Sequence, residues 1–262
     1  MNVESLPEAD RVPGAPHPRD TPELIGQSAA EQSFLDAYNT GRLHHGWLMI
    51  GPRGTGKATL AYRIARFLLS QPMDDGGMFG APEKPTSLDT DPNHPVARRI
   101  AAGADPSLFA LRRGGAGSTE NDQKKNLEAG KFAKDIRVDD VRKLNGFFNF
   151  SSAEGGRRVV IVDAADEMNV QAANALLKRL EEPPENATLL LVTHQPSRLL
   201  PTIRSRCREL RLSPLNHDDM ARALHQALPN TDLDQGALAA LTSGSVGEAI
   251  RMTNLSGPAI YT

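Results

Sequence analysis

IGPRGTGKATL, residues 50–60, carries a Gly-x-x-x-x-Gly-Lys loop. It lies between a short apolar run, GWLMIG (46–51), and a stretch that places Leu60, Ile64, Phe67 and Leu68 on one helical face. Strand, glycine loop and helix in that order form a phosphate-binding setting, because the loop N–H groups converge on phosphate oxygens at the positive end of the helix. Gly51, Gly54 and Gly56 permit the loop backbone, with Thr55 between them, and Lys57 reaches the outer phosphates as a point charge. The eighth position departs from the pattern. Ala58 stands where a Ser or Thr hydroxyl helps to hold the magnesium ion of a bound nucleotide. Thr59 is no simple replacement, since one residue along a helix turns the side chain by about 100°.

Outward from the loop, strand and helix patterns alternate. RRVVIVDAADEMN (157–169) predicts a buried strand ending at Asp163, and VQAANALLKRLEEPP (170–184) a helix with Ala173, Leu176, Leu177 and Leu180 on one face, stopped by Pro183 and Pro184. ATLLLVTH (187–194) is a further buried strand, SRLLPTIRSRC (197–207) a turn with a short helix, and RELRLSPL (208–215) a strand that leads to a proline-marked hinge. Upstream, residues 21–43 predict a helix that ends near Gly41; IRVDDVRKLNGFFNF (136–150) predicts an amphipathic helix through Val141, Leu144 and Phe148. This alternation implies a doubly wound α/β domain over 21–213, a parallel sheet with helices on both faces. Within it, 71–130 reads as a loop-rich insertion with one helix and one strand near 96–113. Residues 1–20, acidic and proline-rich, read as a flexible arm, and 214–262 as a small helical domain.

Bulk properties exclude several classes. A formal net charge of -2 gives no dense basic surface for gripping nucleic acid unaided. A single cysteine, Cys207, allows no internal disulfide and no thiolate zinc cage; with no other base nearby in sequence it reads as a packed small hydrophobe. Seven scattered histidines give no metal spacing, and no apolar run is long enough for a signal peptide or a membrane span. A cytoplasmic protein without a membrane partner is expected.

Asp163 suits the strand-terminal acid that supports magnesium in P-loop ATPases, but the next residue, Ala164, offers no water-activating carboxylate. Asp166 and Glu167 read as solvent-facing charges that begin a helix. Glu181 and Glu182 sit at a helix C-terminus, where the dipole disfavours them, which hints at a partner from outside the chain.

GPRGTGKATLAYRIARFLL, the block from GRRVVIVDAAD through NALLKRLEEPP and TIRSRC to LSPL, and the later LTSGSVGEAIRM together resemble the bacterial clamp-loader AAA+ proteins, from about residue 21 to the C-terminus. The resemblance implies an AAA+ fold with a small helical lid and a role in DNA replication within the DNA polymerase III holoenzyme. It implies the gamma or tau ATPase subunit and the delta subunit as partners, and the sliding clamp and primed DNA as targets met through the assembly. It also implies a helical collar domain, expected to begin where this sequence stops. Against the family's ATPase pattern, Ala58 and Ala164 are joined by Gly247, at the position of a lid arginine, and by the lack of four zinc-binding cysteines; Arg251 lies one turn beyond Gly247. These departures imply the non-hydrolysing branch of the family. No cofactor is then required, ATP, ADP or phosphate binds weakly at Gly51–Thr59 and Asp163, and no zinc is expected. Ser205-Arg206-Cys207 matches the segment whose arginine enters the neighbouring subunit's nucleotide site, so Arg206 is expected to act in trans. Alternative readings are a hydrolysing gamma/tau-like ATPase, a P-loop small-molecule kinase, and, for Arg204 and Arg206, plain ion pairs to Glu209 or to Glu181–Glu182.

Overall fold

Five strands make the sheet, and the burial of its three central strands on both faces explains their apolar runs. In the computed structural model, which describes residues 6–9, 11–72, 84–149, 156–229, 238 and 241–254, the five are β1 (Gly46–Ile50), β2 (Leu108–Leu111), β3 (Arg158–Asp163), β4 (Ala187–Thr193) and β5 (Arg208–Arg211). All pairings are parallel, in the order β2-β3-β4-β1-β5. Trp47 sits opposite Leu190 on one side and Arg208 on the other.

Helices fill both faces. On one, α1 (Ser28–Asn39), α2 (Lys57–Ser70) and α3 (Pro95–Ala101) pack on Trp47, Met49, Val159, Ile161, Leu190 and Val192. On the other, α5 (Val138–Asn149), α6 (Val170–Glu181) and α7 (Pro201–Arg204) pack on Leu48, Ile50, Val160, Val162, Leu189 and Leu191. The two-residue period of each strand makes this division, because successive side chains point to opposite faces. A third cluster joins Ile25 and Leu215 to Met220 and Leu224 of α8 (His217–Ala227), Leu238, and Ala249 and Ile250 of α9 (Val246–Asn254). Of the small helical domain expected over 214–262, residues 230–237, 239–240 and 255–262 lie outside the described residues. Among the described residues no helix is long and apolar enough to cross a membrane.

Two parts of the chain differ from expectation. The insertion holds, besides α3 and β2, a further helix, α4 (Glu120–Glu128), in a stretch that reads as loop. It buries no residue, so it shows no apolar periodicity; its signal is the cap, with the Thr119 hydroxyl accepting from the Asp122 N–H. Part of the described arm is anchored at His17. His17 is 3% exposed, its Nε2 bonded to the Glu8 carboxylate, its ring edge-on to Tyr62 of α2 at 5.6 Å. Arg112 closes the group, paired with Glu8 at 2.8 Å and donating to the Tyr62 hydroxyl at 2.7 Å. Burial raises the Glu8 carboxyl pKa, but the His17 hydrogen bond and the charges of Arg112, His17 and Arg19 outweigh it and hold the group near 2.

Candidate functional site

Ligands of open parallel sheets bind beyond the carboxyl ends of the strands. At that edge Ile50 leads into the loop, Asp163 ends β3, and His194 follows β4. A cleft of about 220 Å³ opens there, bounded by the loop, the arm and the small helical unit, and its walls include Gly54 through Thr59, Asp163, His194 and Arg251.

The loop takes its shape from its own residues. Gly56 precedes α2 at φ +93 and gives the helix no side-chain cap, so the first N–H groups of α2 lack an N-cap side-chain acceptor. Thr55 is buried and turned inward, its hydroxyl donating to the Pro52 carbonyl at 2.9 Å. Lys57 is buried too, and Nζ donates to the Gly51 carbonyl at 2.7 Å and to that of Pro52. Burial lowers its pKa to about 8, against the opposing charges of Asp163 and Asp166. Ala58 and Thr59 both line the cleft, a helical step of about 100° apart.

Asp166 and Glu167 are buried, 5% and 9% exposed, contrary to the solvent-facing reading. The 3-10 turn Ala165–Glu167 folds them beneath the loop. Asp166 Oδ1 accepts from the His194 N–H at 3.0 Å, while Glu167 is paired with Arg53 of the loop at 3.0 Å and with Arg113 at 2.8 Å. Burial raises the Asp166 pKa, yet the hydrogen bond from the His194 N–H, with the neighbouring Thr193 side chain, brings it below the ordinary carboxylate range.

His194 is the residue that pattern reading missed. Burial first, then the charges of Lys57, Arg53 and Arg251 against that of Asp166, drive its pKa down to about 4. Its position, directly after a buried parallel strand, was the available signal. Arg251 does face the cleft, paired with Glu248 at 3.6 Å. Gly247 lies against the loop itself: its N–H donates to the Gly54 carbonyl at 3.2 Å, and the Ser245 hydroxyl donates to the Arg53 carbonyl at 2.8 Å.

Arg206 lies elsewhere. It precedes β5, beside Gly46 at the start of β1, and is not among the residues that line the cleft. The length of β1, roughly 15 Å of strand, separates that edge of the sheet from the loop. Arg206 Nη2 is 2.9 Å from Glu181 Oε1, and Nη1 donates to the Thr202 carbonyl at 3.1 Å. The side chains of Arg206 and Glu181 remain 38% and 42% exposed. Glu181 thus has a counter-ion within the chain, as in the plain ion-pair reading of Arg206. Arg204 approaches Glu209 at 3.9 Å. Burial pushes the Cys207 thiol up to about 12, consistent with a packed side chain and not a nucleophile. Among the described residues no group of three or more His, Cys, Asp or Glu side chains is placed to hold a metal ion.

A family model described as "DNA polymerase III, delta subunit" matches residues 26–216. The chain is 42% identical over 163 residues to the DNA polymerase III subunit delta' of Pseudomonas aeruginosa, covering 62% of this chain and 41% of that protein. It is 32% identical over 189 residues to the DNA polymerase III subunit gamma/tau of Mycobacterium tuberculosis, covering 72% of this chain and 28% of that one. The chain thus spans less than half the length of either relative. Among solved structures, a RuvB variant from Thermotoga maritima has the same fold at 15% identity, with a TM-score of 0.50 over 92% of this chain and 64% of that one.

Proposed function

The chain belongs to the DNA polymerase III delta subunit family, and from that premise we propose that it is a delta'-type, non-hydrolysing AAA+ module of the clamp loader that lends Arg206 to the neighbouring ATPase subunit. Gamma or tau and delta are its direct partners, and the sliding clamp and primed DNA are met through the assembly. The observation that carries this reading is the position of Arg206. It lies a strand's length from its own loop, half-exposed at the opposite edge of the sheet, away from any nucleotide bound here, which supports service to a partner's nucleotide. An arginine supplied in trans neutralises charge that develops on the transferred phosphoryl group, an effect worth about 10³–10⁵ in rate in well-studied GTPases.

The chain's own cleft supports the non-hydrolysing half of the proposal. Lys57 and the N–H groups at the start of α2 suit a phosphate group. Magnesium is poorly served, because Ala58 offers no oxygen and Asp163 is left as the strand-end ligand. No carboxylate stands at Ala164 to activate water. ATP, ADP or inorganic phosphate is therefore a weak ligand of a retained scaffold.

Reconstitution with the full-length partners tests the trans role. Arg206→Ala is expected to lower the clamp- and DNA-stimulated ATP hydrolysis of the complex at least a hundredfold, by the magnitudes known for such arginines; an unchanged rate refutes it. The likeness to gamma/tau favours one rival, a hydrolysing ATPase. Magnesium-dependent turnover by this protein alone, abolished by Lys57→Ala, would establish that rival.

A further inference from the structure

Arg206 has partners within its own chain, one of them a carboxylate. Its backbone sits in the turn after α7, with the Arg206 N–H donating to the Ile203 carbonyl at 3.1 Å and the Cys207 N–H to that of Arg204 at 3.3 Å. The turn is seated on the start of β1, where a Cβ at Gly46 would stand 3.0 Å from the Arg206 carbonyl oxygen and 3.3 Å from Cys207 Sγ. The guanidinium has two contacts, Glu181 and the Thr202 carbonyl. Glu181 is the last residue of α6, whose end is tied to the same edge by His45, Nε2 donating to the Leu180 carbonyl at 2.9 Å.

A carboxylate at a helix C-terminus is disfavoured by the dipole, so stability of α6 gives no reason for an acid there. Its charge is offset by Arg206. A half-exposed pair of this kind contributes little to folding, because water screens it. What it does supply is direction: a long side chain with many rotamers is limited to the few that keep one N–H on the Thr202 carbonyl and the guanidinium beside the Glu181 carboxylate.

We infer that Glu181 is a positioning residue, which aims the Arg206 guanidinium out of the subunit face toward the neighbour's phosphates. This rests on the trans role of Arg206, and the two can fail separately. In the assembled loader built with full-length protein, Glu181→Ala is expected to lower kcat for stimulated ATP hydrolysis by roughly ten- to a hundredfold, up to the loss that a 1 Å misplacement of a reacting group causes. KM for ATP and assembly on gel filtration stay unchanged. Glu181→Gln, whose amide oxygen still accepts from the guanidinium, recovers most of the rate. A wild-type or raised kcat in Glu181→Ala, with Arg206→Ala impaired, overturns the inference and leaves the trans role standing. A wild-type rate in Arg206→Ala overturns the trans role instead. Side-chain NMR of the free protein is independent of assembly: an ordered Arg206 Nε–H signal that becomes averaged in Glu181→Ala is expected, and equal mobility in the two proteins overturns the inference.

Discussion

Gly247 and Gly54 meet backbone to backbone: a Cβ added at Gly247 would stand 2.8 Å from the Gly54 Cα, and one added at Gly54 would stand 2.7 Å from the Gly247 N. Beside the Ser245 hydroxyl, the small helical unit thus meets the loop glycine to glycine, at the position where ATPases of the resembled family carry a lid arginine.

Gly247→Ala puts a methyl group where no real Cβ fits, so α9 must lift from the loop. The expected cost is about 1–3 kcal/mol, as for other overpacked contacts, read as a lower urea midpoint. Gly247→Arg is expected to cost at least as much and to bring no ATP hydrolysis. A wild-type midpoint for Gly247→Ala would show that the contact is not kept in solution.

His194 makes the protein sensitive to acid. Its folded pKa, about 4, lies below the ordinary 6.5, so the unfolded chain binds more protons between those values and stability falls as pH drops through that window. Relative to His194→Gln, the wild type is expected to lose up to about 3 kcal/mol between pH 6.5 and pH 4 and to differ little in slope above pH 6.5. Parallel pH profiles in urea unfolding would remove the idea.

Lys57 acts at the other end of the scale. Its folded pKa of about 8 is below the ordinary 10.5, so the cost of burying the cation is complete below pH 8 and is relieved as pH rises to 10.5. The stability of the wild type minus that of Lys57→Met is expected to rise by up to about 3 kcal/mol across that interval. Thermal melts of both proteins from pH 7.5 to 10.5 check it; a flat difference contradicts it.

Ala58→Thr restores one magnesium ligand and leaves Ala164 and Gly247 as they are. The expected result is tighter magnesium-dependent ADP binding by calorimetry, by about 1 kcal/mol, the order of a single added polar contact, with no ATP turnover. Turnover in this single variant would mean that Ala58 alone silences the site.

Much of the fold was legible because it rests on local regularities. Four-residue apolar runs, WLMI, VVIV and LLLV, announce strands buried on both faces, and the apolar stripe of 170–181 announces a sheet-covering helix. The loop at 51–57 is defined by three glycines and a lysine at fixed spacing. Arg206 was legible only through resemblance, since Ser-Arg-Cys has no chemistry that marks it alone. α4 was hidden because a helix that buries nothing leaves no period in its sequence.

The sequence by itself determined the strand-and-helix alternation, the loop and the three departures at Ala58, Ala164 and Gly247, because each is carried by neighbours in the chain. Tertiary structure alone decided which charges are buried and what faces them. Asp166 and Glu167 look solvent-facing until a 3-10 turn sets them under Arg53, Arg113 and the His194 N–H. His17 is packed only because Tyr62 and Arg112, from two distant segments, converge on it and on Glu8 of the same arm. Glu181 looks misplaced until Arg206, 25 residues on, is brought within 2.9 Å. The desolvation and pairing of a charge depend on what the fold packs beside it, and that is not written in the residues on either side.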